Sequence, residues 1–132
     1  METETQITEK LPLVPDEKRE RYKAISDLSG FTGTECYYKY MFGVVITDGV
    51  RYVAEKAGCF WLLDLIASDF NQRNFERTFY RLDVFEDRTF RLMRSDGDNE
   101  YELVLEYHYT DFPMPEFRIW AMDGVLMLPS EY

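Results

Sequence analysis

His108 is the single histidine of this chain, and in NEYELVLEYHY it shares a strand face with Glu102 and Glu106. That is the layout of a general base oriented by a carboxylate, although a lone surface histidine beside acids more commonly pairs charge. Cys36 and Cys59 match no CxxC metal or redox spacing, and neither thiol has a base placed beside it. Asp96-Gly97-Asp98-Asn99-Glu100 offers the oxygen ligands of a calcium loop without the D-x-[DN]-x-[DN]-G spacing, so an acidic turn explains it as well. Glu35, Glu55 and Asp64 are the carboxylates from which a hydrolytic pair would be drawn if their segments converge. Ser29-Gly30-Phe31-Thr32-Gly33-Thr34 lacks the lysine and the spacing of a phosphate-binding loop. The residues predict no catalytic set, no metal site and no cofactor.

Asp64 stands out because of the element that carries it. In TDGVRYVAEKAGCFWLLDLIAS, residues 47–68, Thr47 or Asp48 caps a helix running from about Val50 to Ala57, and Gly58 stops it. A hairpin across Asp48-Gly49 competes, but Ala54, Glu55, Lys56 and Ala57 are helix formers and poor strand residues. A second helix, Phe60 to Phe70, is apolar on nearly every side, with Asp64 and Ser68 as its polar stripe. A carboxylate there needs a partner to offset its desolvation, and Lys39, Arg51 or a backbone amide could supply one. If a small-ligand pocket exists, Thr47, Asp48, Trp61 and Asp64 are its expected residues, where this segment meets the sheet.

The remaining elements follow from pattern. Residues 1–15 read as a tail ending in the extended LPLVP, and residues 16–132 as one domain. Asp16 is a suitable cap for a helix over 17–28 that stops at Gly30. Thr34 to Tyr40 and Phe42 to Ile46 read as one or two strands broken near Gly43. From Thr78 the period becomes two, and FYRLDV, TFRLMR, NEYELVLEYHY and EFRIWAM read as an antiparallel meander with a final turn at Asp123-Gly124. A three-residue loop at 86–88 sets Val84 opposite Phe90, and a two-residue Asp96-Gly97 turn sets Leu92 opposite Tyr101. In that register Asp83, Arg91 and Glu102 form a charge ladder on the polar face. The Asp123-Gly124 hairpin pairs Trp120 with Met127 and Ala121 with Leu126, which makes both of its faces apolar. Trp120, Met122, Val125 and Met127 are thus the expected interface residues, to be covered by the helices, the N-terminal segment or a second subunit.

Composition narrows the classes of function. The chain has 132 residues, 17% of them aromatic, enough to build a core without metals or disulfides. The net charge of -10 is uneven: residues 95–132 hold nine acids against Arg118 alone. Such a field repels phosphate backbones, so direct nucleic-acid binding is not expected, while a basic protein partner suits it. No apolar run approaches the roughly 20 residues of a membrane span, since CFWLLDLIA is short and carries Asp64. METETQITEK lacks the layout of a signal peptide, and the chain reads as cytoplasmic with reduced thiols.

LSGFTGTECYYKY and the 47–68 stretch resemble the hallmark of a family of small bacterial and bacteriophage proteins of unknown function. In it, L-x-x-F-x-G-T-E is followed by T-D-G-V-x-Y-x-A-E-x-A-G and W-L-L-D-x-I-A-S. The likeness runs from about residue 28 to 128 and rests on Leu28, Phe31, Gly33, Thr34 and Glu35, then on Thr47 to Val50 and Trp61 to Asp64. It implies a phage or mobile-element setting, where small acidic proteins include inhibitors of host defence, and it supplies no catalytic residue.

Together these readings predict an α+β domain: an antiparallel meander sheet of four to six strands with two or three helices packed on one face. Its first expected function is a non-enzymatic interaction protein, a homodimer using Trp120, Met122, Val125 and Met127. A ligand-binding or enzymatic pocket near residues 47–68 and an acidic nucleic-acid mimic are the alternatives.

Overall fold

The computed structural model describes residues 10–98 and 100–132. Residues 1–9 of the expected tail, and Asn99 of the acidic turn, lie outside the described residues. Residues 10–15 run beside the chain at 84–86, where the Leu13 N–H donates to Val84 O at 3.0 Å and the Glu86 N–H to Leu11 O at 2.9 Å. Leu13 is buried there.

Helix α1 (Glu20–Ile25) is shorter than the 17–28 expected. Asp16 spends its oxygens on a turn: its carboxylate accepts the Lys18 N–H and its carbonyl the Arg19 N–H, both at 3.1 Å. At the other end Asp27 takes both the N–H and the hydroxyl of Ser29, closing a second turn. Helix α2 (Asp48–Ala57) starts where Thr47 Oγ1 accepts the Val50 N–H and ends at Gly58 in the left-handed conformation, φ 65°. Helix α3 (Phe60–Gln72) follows at once and buries Leu62, Leu63, Ile66, Ala67 and Phe70. Each such Leu, Ile or Phe contributes about 1.5–3 kcal/mol by leaving water.

The strands are β1 (Tyr37–Lys39), β2 (Val45–Thr47), β3 (Thr78–Val84), β4 (Phe90–Ser95), β5 (Glu102–Tyr107), β6 (Glu116–Met122) and β7 (Val125–Met127). They form one seven-stranded sheet in the order β1-β2-β7-β6-β3-β4-β5. The sheet is therefore larger than the four to six strands expected, and it is mixed, because β2 pairs with β7 in parallel. The expected four-strand meander is corrected: β3, β4 and β5 pair in sequence order, but β6 returns across the sheet to pair antiparallel with β3 instead of β5, because the long TDFPMP connection lets it reach the other edge of β3. The short strands β1 and β2 extend the sheet from the far edge, and α2 and α3 carry the chain from β2 back across the sheet to β3.

Register agrees with pattern where loops are tight. Val84 faces Phe90 and Leu82 faces Leu92 across the 86–88 loop, with Arg88 in the left-handed region at its end. Trp120 faces Met127 and Ala121 faces Leu126 across Asp123 and Gly124, both with positive φ. The Asp96-Gly97 hairpin departs from the expected register. Leu92 faces Leu105, not Tyr101, and a bulge between Leu92 and Met93 shifts the register, because the connection runs from Asp96 to Tyr101 rather than through two residues. Arg91 accordingly lies beside Glu106 instead of Glu102.

With these registers, Ile46, Tyr80, Leu82, Phe90, Leu92, Ile119 and Leu126 share one face and join α2 and α3 in a single core. Helix α1 leans on α2, where the Tyr52 hydroxyl donates to Ala24 O at 2.8 Å. The other face of the sheet carries the alternate residues and stays partly open to solvent.

Candidate functional site

The start of α2 gathers two distant segments. Asp48 Oδ2 accepts the Glu35 N–H at 2.9 Å and the Cys36 N–H at 3.3 Å, while Oδ1 accepts the Tyr38 hydroxyl at 2.9 Å. The Glu35 N–H, then the Tyr38 hydroxyl, hold the Asp48 carboxyl below the usual carboxylate range. Glu131, far along the chain, reaches the same helix end. Its carboxylate accepts the Thr47 hydroxyl at 2.6 Å, the Gly49 N–H at 2.9 Å and the Leu128 N–H at 2.9 Å. An anion at a helix N-terminus meets both free amides and the positive end of the dipole. Gly49 is needed for this approach, since a Cβ there would lie 2.6 Å from Leu128 Cδ1 and 2.8 Å from the Glu131 carboxylate. Thr47, Asp48 and Gly49 thus have their polar groups occupied by the chain itself.

Asp64 finds its partner in Tyr40, whose hydroxyl donates to Asp64 Oδ1 and reaches Phe60 O at 3.3 Å. Burial, then the Asp64 carboxylate, raise the Tyr40 phenol above its ordinary value. Lys39, Arg51 and a backbone amide, the partners expected, are not the ones used. Trp61 turns elsewhere: its ring lies 5.0 Å from Phe90, and it lines a groove of about 380 Å³ with Tyr107 and Tyr109. Thr47 lines a different cavity, about 370 Å³, with Tyr37, Met122, Met127 and Tyr132. The four expected ligand residues therefore fall into separate surroundings rather than one pocket.

A partly buried ionic cluster, centred on Asp69, joins α3 to β4. Asp69, 9% exposed, accepts the Tyr80 hydroxyl at 2.7 Å and an N–H of Arg94. Arg94 in turn donates to Glu102 at 2.6 Å, and Arg73 beside it donates to Thr78 at 3.1 Å. Burial, then the Asp69 carboxylate, push the Tyr80 phenol above its ordinary value. Arg73, Arg94, Ser95 and Glu102 border a cavity of about 440 Å³ with a strongly acidic rim. The available signal was parity: in Phe90-Arg91-Leu92-Met93-Arg94, Arg94 falls on the apolar face and must meet a buried acid.

Other expected chemistry is not assembled. Cys36 is exposed and Cys59 buried, both free, and burial pushes the Cys59 thiol up to about 12, away from the thiolate a nucleophile needs. Among the described residues no three His, Cys, Asp or Glu side chains are grouped to hold a metal ion. No helix among them is long and apolar enough to cross a membrane.

Trp120, Met122, Val125 and Met127 are neighbours on one face of the β6–β7 hairpin. Register puts Val45, Val125, Met122, Met127, Trp120 and Phe79 side by side on the face away from the helices. Phe79 meets Trp120 edge-on at 5.1 Å, and Tyr132, 75% exposed, also meets it edge-on at 5.5 Å. Beyond this strip the same face alternates in charge: Arg81 pairs with Asp83 through two bonds of 2.9 Å, Arg118 with Glu116 at 2.6 Å and Arg91 with Glu106 at 2.7 Å. Arg81 also stacks 4.3 Å from the Tyr101 ring.

These features define a class: an α+β domain with a mixed seven-stranded sheet, helices on one face, and an aromatic and ion-paired surface on the other. The chain belongs to the family of unknown function DUF6876, whose family model matches residues 23–132. No curated protein and no solved structure was found to match it.

Proposed function

We propose that this chain is a non-enzymatic interaction protein that pairs with a second copy of itself through the open face of its sheet. The observation that carries this reading is the charge balance of that face. The chain has a net charge of -10, so two copies repel wherever acids predominate. On the strands of the open face, Lys39, Arg81, Arg91 and Arg118 answer Asp83, Glu106 and Glu116. Two copies approaching through these strands meet less of that repulsion than through the acidic surface of residues 95–111.

A two-fold axis across this face suits its pattern. Apolar residues of one copy meet the same strip of the other, and an arginine that pairs within its own strand can exchange carboxylates with its counterpart. Trp120, flanked by Phe79 and Tyr132, is the large aromatic anchor such contacts favour. The acidic surface of residues 95–111 then remains outward, available to a basic partner.

Sedimentation equilibrium tests this directly. A species of twice the 15.8 kDa chain mass is expected, and Met127→Glu or Arg118→Glu should weaken it about tenfold or more while leaving the circular dichroism spectrum unchanged. A chain that stays monomeric at about 100 µM, well above the micromolar range where weak specific dimers form, overturns the proposal.

A further inference from the structure

Four aromatic rings converge at the end of the sheet remote from the dimer strip. Phe90, 2% exposed, is the floor. Trp61, from the first turn of α3, stands 5.0 Å from it at 51°, and Tyr107, from the end of β5, 5.9 Å from it at 83°. Tyr109 and Asp111 complete a groove of about 380 Å³, within the usual range for ligand sites. Neither ring stacks flat on Phe90. Tyr107 and Tyr109 are 60% and 68% exposed, so their rings are open to a ligand from solvent.

We infer that this groove receives the alkylammonium group of a lysine, free or methylated, presented by a basic protein segment. The inference rests on the reading of the chain as an interaction protein but uses a different surface. Charge selects the occupant. Among the described residues no basic side chain lines the groove, Asp111 is its one charged lining residue, and aromatic rings attract a cation. The surrounding chain, with nine acids and Arg118 alone over residues 95–132, adds a field of the same sense. Arg21 occupies Asp111 Oδ2 at 2.6 Å, but both side chains are about two-fifths exposed, and such a pair gives way at small cost. The incoming ammonium takes the ring faces and shares or displaces the Arg21 contact.

The test follows the indole N–H resonances of the full chain in two-dimensional NMR, with Trp61 assigned by Trp61→Phe and Trp120 serving as the internal reference. The probes are acetyl-trimethyllysine amide and its neutral carbon isostere. The cation should shift the Trp61 resonance saturably and leave that of Trp120 in place, and the isostere should bind about fivefold more weakly or worse. Tyr109→Ala, in an exposed loop, should weaken the cation by a similar factor with the rest of the spectrum unchanged. Arg21→Ala should strengthen it. Equal binding of the isostere would make the groove merely apolar and overturn the inference, as would a Trp61 resonance that does not move or a response undiminished in Tyr109→Ala. None of these outcomes alters the sedimentation result, so the two proposals fail separately.

Discussion

Asp64 and Asp69 lie on the same helix five residues apart, and their fates differ because their surroundings do. Asp64 is half-buried and satisfied by the Tyr40 hydroxyl, whereas Asp69 is buried and holds both Tyr80 and Arg94. Asp69→Ala leaves the buried Tyr80 hydroxyl without its acceptor while Arg94 keeps Glu102, so it should cost about 1–3 kcal/mol in urea unfolding. Arg94→Met should cost less in that chain than alone, and an additive result would show that the pair is not coupled. Asp48 makes a pH prediction. Its folded-state carboxyl titrates below the ordinary value of 3.8, so its stabilisation is present above that value and is lost as pH falls through the depressed one. The midpoint of thermal unfolding should therefore drop as the pH falls below the ordinary carboxylate value of 3.8, and Asp48→Asn should flatten that drop. At this scale sequence shows that Asp64 needs a partner but cannot name it. Tyr40 lies 24 positions away, beyond a left-handed kink at Phe42 that no periodicity announces.

The T-D-G at the start of α2 joins elements that are far apart in the chain. Thr47 caps the helix, Asp48 ties down residues 34–38, and Gly49 admits the carboxylate of Glu131. Gly49→Ala should push Glu131 and Leu128 off the helix end and lower stability by about 1–3 kcal/mol. Glu131→Ala should cost less, and the double variant should lose less than the sum, because the same contact is removed twice. Calorimetry of the four proteins checks this, and strict additivity would show that the two residues do not share the contact. The role of Thr47 as a cap and Gly58 as a stop is readable from the sequence, since both depend on nearest neighbours. The part played by Glu131 is not, because it rests on a pairing across more than 80 residues. The same distinction separates the strand registers. Tight turns at 86–88 and 123–124 determine their pairings, while the six-residue connection at 96–101 and the bulge at Leu92/Met93 leave β5 displaced. The parallel contact of β2 with β7 escapes period-two reasoning altogether, because alternation says which face a residue takes and nothing of strand direction.

Across the whole molecule, charge and apolar surface are distributed against each other. Acids dominate the C-terminal third, yet the open sheet face is balanced, and its centre carries Trp120, Met122, Val125 and Met127. The pairing of these four is legible in the sequence, because a two-residue turn fixes which residues lie opposite and both faces of the hairpin are apolar. Their position away from the helices is a product of topology, with α2 and α3 committed to the other side by their passage from β2 to β3. The aromatic groove at Trp61 likewise depends on register, which brings Phe90 beside Tyr107 only after the shift in β5. Hydroxyl-radical footprinting over a dilution series tests the central claim that the open face is the surface of self-association. Oxidation of Trp120 and Met127 should rise as the protein is diluted from about 100 µM to about 1 µM, across the range in which a micromolar dimer dissociates, while Met41 and Tyr109 remain constant. Labelling of Trp120 and Met127 that is independent of concentration, or protection that falls on Tyr109 instead, would contradict it.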